Sequence, residues 1–147
     1  MAQILKLLQV AGSALPRVVQ CNFRTSACLS ELQKLSTVQV VDNSILGRSA
    51  VKRGKKAKII HVYNSAGIGK IGDKVLLAIC GEKKHGYIVG CKQKQKPNTP
   101  RFDNNNVVLV EENGTPTGTR IRVPIPSCLR GKDGEFTKIL SIATKFV

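Results

Sequence analysis

Between residues 37 and 123 the chain alternates short β-branched runs with turn residues. Residues 37–41 read TVQVV, with Val38 and Val40 on one face and Gln39 on the other, before Asp42-Asn43-Ser44 turns the chain. The same grammar recurs in IIHVY (59–63), KVLLAIC (74–80), YIVG (87–90), NVVLV (106–110) and TRIRV (119–123), which makes six predicted strands. No helical period separates them, so the pattern predicts a small antiparallel β-barrel rather than alternating βαβ units. The period then changes: Phe136, Ile139, Leu140 and Ala143 fall on one helix face, after a PSCLR turn that can itself be helical. The expected fold is mostly β, a closed barrel with short C-terminal helices.

The first 30 residues follow a different rule. Ile4, Leu7, Leu8, Ala11 and Leu15 recur at helical spacing, Lys6, Gln9, Ser13 and Arg17 lie off that stripe, and Thr25, Ser26 and Ser30 add hydroxyls. An amphipathic, Arg-containing, acid-free start is the composition of a mitochondrial import sequence. Residues 1–30 are therefore expected to be a transit peptide, removed on import, and 31–147 the folded domain. The rival readings are a secretory signal, against which Gln9, Gly12 and Ser13 break the apolar stretch, and a plain disordered tail. No apolar run approaches the roughly 20 residues that a membrane helix needs.

Charge narrows the function. The 147 residues carry 24 Lys and Arg against 9 Asp and Glu, a formal charge of +15. Lys6, Arg17 and Arg24 account for the leader, which leaves +12 on the body. At 41% hydrophobic the body has enough apolar side chain for one core, so this is not a disordered polycation. The cations gather between strands. Lys52, Arg53, Lys55, Lys56 and Lys58 lie in VKRGKKAK (51–58), Lys83 and Lys84 are expected in a turn, and Lys92, Lys94 and Lys96 alternate through KQKQK. That alternation would set three lysines on one face of a projecting ribbon, a row able to track phosphates. In TRIRV, Arg120 and Arg122 alternate with Thr119, Ile121 and Val123, so one face is expected to be buried and the other to show guanidinium. One charged run is often only a solvated face, but +12 in total calls for a polyanion, nucleic acid first. Aromatics at 4%, without Trp, argue against a module that holds unpaired bases mainly by stacking.

Several motifs fail on context. Residues 67–72, GIGKIG, fit G-x-G-x-x-G, but DKVLLAIC follows as a strand where a dinucleotide site needs a helix N-terminus. Gly72 is followed by Asp73, so the P-loop pattern fails as well. Cys80, His85 and Cys91 have no zinc-ligand spacing and lack a fourth ligand, so no metal or cofactor is expected. Cys21, Cys28 and Cys128 complete an odd set without C-x-x-C. Asn113-Gly114-Thr115 reads as a turn before it reads as a glycosylation sequon. With two His, few acids and no nucleophile motif, no enzyme is expected.

TVQVVDNSILG, GIGKIGDKVLLAI, RFDNNNVVLVEENGTPTGTRIRVPIPSCLR and FTKILSIATKFV together resemble the large-subunit ribosomal protein L-fourteen family. With the leader, the resemblance is to its mitochondrial branch, and it runs from about Thr37 to Val147. It implies a five-stranded barrel with a projecting ribbon, set against large-subunit rRNA near the subunit interface. It also implies bridges to small-subunit rRNA, protein L-nineteen as a neighbour, and a ribosome silencing factor on the C-terminal face. Arg101, Phe102, Asp103 and Asn105 would fall in the family signature, and Thr119, Arg120 and Lys138 would meet the silencing factor. The expected rRNA contacts are Lys52, Arg53, Lys55, Lys56, Lys58, Lys83, Lys84, Lys92, Lys94, Lys96, Arg101, Arg122 and Arg130. The segment EKKHGYIVGCKQKQKPNTPRFD is shorter than in bacterial members, with Lys96-Pro97-Asn98 where they have an Asp-Gly turn. The alternatives are a free barrel-type RNA- or DNA-binding factor of mitochondria, or a basic protein of the cell exterior or a membrane surface.

Overall fold

The computed structural model describes residues 32–92, 97, 101–132 and 136–147. The predicted leader, and Lys94 and Lys96 of the predicted ribbon, lie outside the described residues. Five strands close a barrel in the order β1 (Thr37–Val40), β2 (Ala57–Val62), β3 (Lys74–Ile79), β4 (Glu82–Gly90) and β5 (Asn106–Val110). Each is antiparallel to the one before it. The seam differs: β1 and β5 run parallel, with Gln39 opposite Asn106 and Val40 opposite Val107. An odd number of strands, each reversing the last, must bring its first and last members together pointing the same way. Register shifts at Ile59/His61 and Ile88/Gly90 insert an extra residue where β2 and β4 bend around so small a barrel.

The β3–β4 hairpin revises one expectation. Cys80 and Gly81 both have positive φ, 51° and 94°, which is the two-residue type I′ geometry whose twist matches that of the strands. Pairing resumes at once with Ile79 opposite Glu82. Lys83 and Lys84, expected in a turn, are therefore strand residues opposite Ala78 and Leu77.

The core is in two parts. Inside the barrel lie Val38, Ile59, Val75, Leu77, Ile88, Val107 and Leu109, all buried. Outside it, Tyr87, Val89, Val108 and Val110 of β4 and β5 are covered by Ile121, Ile125, Leu129, Phe136 and Ile139. This second layer is why NVVLV is an unbroken apolar run: β5 is buried on both faces, and all five of its residues are inaccessible. The covering layer ends in a 3₁₀ turn, Ser127–Gly131, and helix α2, Phe136–Ser141, as the C-terminal period predicts.

TRIRV is not a sixth strand. Ile121 makes only single bridges, to Asp42 and to Ala143, while Asn43 N–H donates to the Arg120 carbonyl and Arg122 N–H to that of Val41. Pro116, Pro124 and Pro126, each without an N–H, bound the stretch and prevent a longer ladder. The predicted alternation survives in part: Ile121 is buried, Val123 half-buried and Arg120 and Arg122 exposed, but Thr119, expected on the buried face, is exposed as well.

An eight-residue helix between β1 and β2, α1 (Ile45–Lys52), has no counterpart among the predicted elements. The Ser44 hydroxyl caps it by accepting from Gly47 N–H at 3.0 Å. At its other end Gly54 N–H donates to the Val51 carbonyl and Lys55 N–H to that of Ala50, a Schellman arrangement. Gly54, at φ +65°, takes the left-handed position which that ending requires. Asp42, buried, ties these parts together. Its Oδ1 accepts from Ser44 N–H and Oγ–H, and its Oδ2 from Leu109 N–H at 3.0 Å, so one carboxylate joins the end of β1, the cap of α1 and the middle of β5.

Candidate nucleic-acid interface

The segment 51–58 spans three kinds of structure. Lys52 ends α1, Arg53 is its C-cap, Lys55 and Lys56 follow the Gly54 turn, and Lys58 points outward from β2 between the buried Ala57 and Ile59. All five cations are exposed. Among the described residues none of them has an acidic partner within ion-pair distance. Lys56 continues the band into a cleft of about 220 Å³ that it lines together with Lys92, Thr37, Gln39, Asp103, Asn104 and Asn105. The Lys92 N–H donates to Asn105 Oδ1 at 2.9 Å, which fixes the departure of the chain from β4 against the loop before β5. Lys56 and Lys92, far apart in sequence, are thus brought to one polar cleft.

A second cleft adjoins it, sharing Gln39, Asp103 and Asn104 and adding Arg101, Phe102 and the C-terminal Val147. Arg101 Nε lies 3.7 Å from Asp103 Oδ1, and both side chains are at least half exposed, so water screens the pair and leaves the guanidinium available. The other predicted contacts are more engaged. Lys84 pairs with Glu111 at 3.5 Å. Arg122 Nη2 donates to Asn43 Oδ1 at 2.6 Å. The Arg130 guanidinium sits 4.0 Å from the centre of the Phe146 ring and holds the C-terminal segment. Lys83 is exposed on β4.

Arg48, which no charge run marks in the sequence, is a further exposed cation. It projects from α1, with Nε and Nη2 donating to the Asn43 carbonyl at 3.3 and 3.2 Å. Finding it required the helix, and the only local signal was Ser44 set before Ile45 as a possible cap. Thr119, Arg120 and Lys138 are all exposed on the C-terminal layer. Ile121 N–H donates to the Ile142 carbonyl, which lays residues 119–122 beside the chain that leaves α2, the helix carrying Lys138.

The rejected motifs occupy structural posts. GIGKIG forms the β2–β3 loop, pinned by two hydrogen bonds between Gly69 and Leu32 and by Asp73 Oδ2, which accepts from Lys70 N–H and Asn64 Nδ2. Asn113-Gly114 is a turn, with Gly114 N–H donating to Glu111. Cys80 and Cys91 flank the nine residues of β4, about 30 Å apart at strand rise, so they cannot share an ion. Burial, reinforced by the charge of Asp73, pushes the Cys91 thiol up to about 12. It is a core side chain.

The fold and this band define a class of protein: one small barrel that carries a band of exposed cations with no acidic partner among the described residues. Comparison with known proteins names the class more closely. The family model for ribosomal protein L14p/L23e matches residues 31–147. A Danio rerio protein, large ribosomal subunit protein uL14m, is 52% identical over 141 residues, which is 95% of this chain and 99% of that one. The chain belongs to the ribosomal protein L14p/L23e family. It is a mitochondrial form, a protein of the mitochondrial matrix.

Proposed function

We propose that the protein is a structural component of the large subunit of the mitochondrial ribosome. In this role it neutralises phosphate, braces folded rRNA and performs no chemistry of its own. The observation that carries the reading is the run of exposed cations Lys52, Arg53, Lys55, Lys56 and Lys58, which Lys56 joins to exposed Lys92 across one cleft. Family membership supports the same role, as does the name of the Danio rerio relative. Residues 1–30 serve as the import leader and are removed, so that 31–147 is what assembles. Lys83, Arg101 and Arg122 make outlying phosphate contacts, and Lys94 and Lys96 are assigned the same role from their sequence alone. Thr119, Arg120 and Lys138 present a protein-facing surface, the site for the silencing factor, and the barrel takes part in intersubunit bridging beside L-nineteen.

The test is a sucrose gradient of detergent-lysed mitochondria, blotted for the protein alongside large- and small-subunit rRNA. Comigration with the large-subunit peak that resists moderate salt is expected. Protein at the top of the gradient would refute the reading and return the function to a free basic barrel that binds RNA or DNA. Arg120→Glu should weaken silencing-factor binding, and unchanged binding would remove that site from the account.

A further inference from the structure

Starting from Lys58 at the margin of the cationic band, the outer face of β2, β3 and the first half of β4 is left uncovered by the described residues and has a composition of its own. Registered residues form three rows across it. Lys58, Ala78 and Lys83 make the first, His61, Leu76 and His85 the second, and Tyr63 lies beside Lys74 at the head of the third. Tyr63 is 49% exposed, the only exposed Phe or Tyr ring among the described residues. Both histidines of the chain stand against it. The His61 ring meets Tyr63 edge-on at 5.2 Å between centroids, and His85 meets it at 5.7 Å, tilted by 43°. His85 Nδ1 is buried without a hydrogen-bond partner, and the same side chain lines a cleft of about 520 Å³ with Lys83, the Lys84–Glu111 ion pair and Glu112. Ile60, also exposed, lies within the same stretch of β2.

A solvated face has no use for three adjoining rings, and a protein partner that buried this strip would have to neutralise Lys58 and Lys83 as well. One ligand chemistry satisfies both halves: a flat, sequence-tolerant π surface joined to phosphate. We propose that Tyr63, with His61 and His85, is the stacking platform for one unpaired rRNA base, whose flanking phosphates lie on Lys58 and Lys83. The inference rests on the rRNA-binding reading and deepens it. Scarce aromatics exclude binding mainly by stacking, but they do not exclude a single stacked base on a surface otherwise held by charge.

The test uses the protein with two RNA hairpins of equal length, one fully paired and one carrying a single bulged 2-aminopurine. The bulged hairpin should bind more tightly and its fluorescence should be quenched. Tyr63→Ala should abolish that preference, a loss of about 5- to 100-fold for the bulged hairpin alone, with an unchanged salt slope. Tyr63→Phe keeps the ring and should keep the preference. Lys58→Gln with Lys83→Gln should instead flatten the salt slope for both hairpins. Equal binding of the two hairpins, insensitive to Tyr63→Ala, would overturn the platform while leaving the charged band intact. Failure of either hairpin to bind in a salt-dependent way would count against the rRNA reading itself. Loss of a neighbouring protein from Tyr63→Ala large subunits, with fluorescence unquenched, would make the strip a protein interface and overturn the proposal.

Discussion

The outer surface of one barrel is used in two opposite ways. Over the second half of β4 and all of β5, the outward residues are Tyr87, Val89, Val108 and Val110, and the returning chain covers them. Over β2, β3 and the start of β4, the outward residues include Lys58, His61, Tyr63 and Lys83, and no part of the described chain returns to cover them. β4 crosses from one regime to the other within nine residues. The difference teaches that the barrel is closed twice, once by its seam and once by a layer laid over only half of it. On the uncovered half the barrel wall itself carries the charge.

Removing residues 127–147 tests this division most severely. It strips Leu129, Phe136 and Ile139 from the covered half, and dye binding with loss of a cooperative thermal transition is expected. A truncated chain that still melted cooperatively would make the second layer accessory. Asp42→Ala comes next, because three hydrogen-bonded protons lose a buried acceptor at once. A loss of about 3–5 kcal/mol in urea unfolding is expected. Ile121→Ala, on the covered side, should cost about 2–5 kcal/mol, whereas Ile60→Ala on the open side should stay within about 0.5 kcal/mol. Equal costs would erase the comparison. Least perturbing is alkylation of the native protein at rising pH. A thiol pushed up to about 12 stays protonated and unreactive at pH 8 to 10, so Cys91 should resist labelling while exposed Cys128 reacts. Labelling of both at pH 8, read by mass spectrometry, would show that the barrel interior opens.

Much of the barrel was legible because its signals are local. Alternation in KVLLAI matches alternate burial along β3, and the continuous run in NVVLV marks the strand buried on both faces. Helix α1 was not legible: of its four apolar residues Ile45 and Val51 are exposed, its fully buried positions are the small Gly47 and Ala50, and the helix is held by caps and by Asp42. TRIRV misled for the converse reason. It has a strand's alternation, but a ladder needs a partner of equal length, and Ile121 finds only single bridges. Among candidate contacts the cluster at 52–58 stood out as unopposed charge, whereas Arg48 and the meeting of Tyr63 with both histidines depend on elements paired across the fold.

By itself the sequence determined that this is a small basic β protein without catalytic grammar, since strand period, charge balance and motif context are properties of neighbouring residues. Only the tertiary structure decided which half of the barrel is covered and which cations are already engaged. Arg130 looks as free as Lys55 in the sequence, yet one stacks on Phe146 and the other faces solvent. Such contacts join residues that are distant along the chain, and no local period records them.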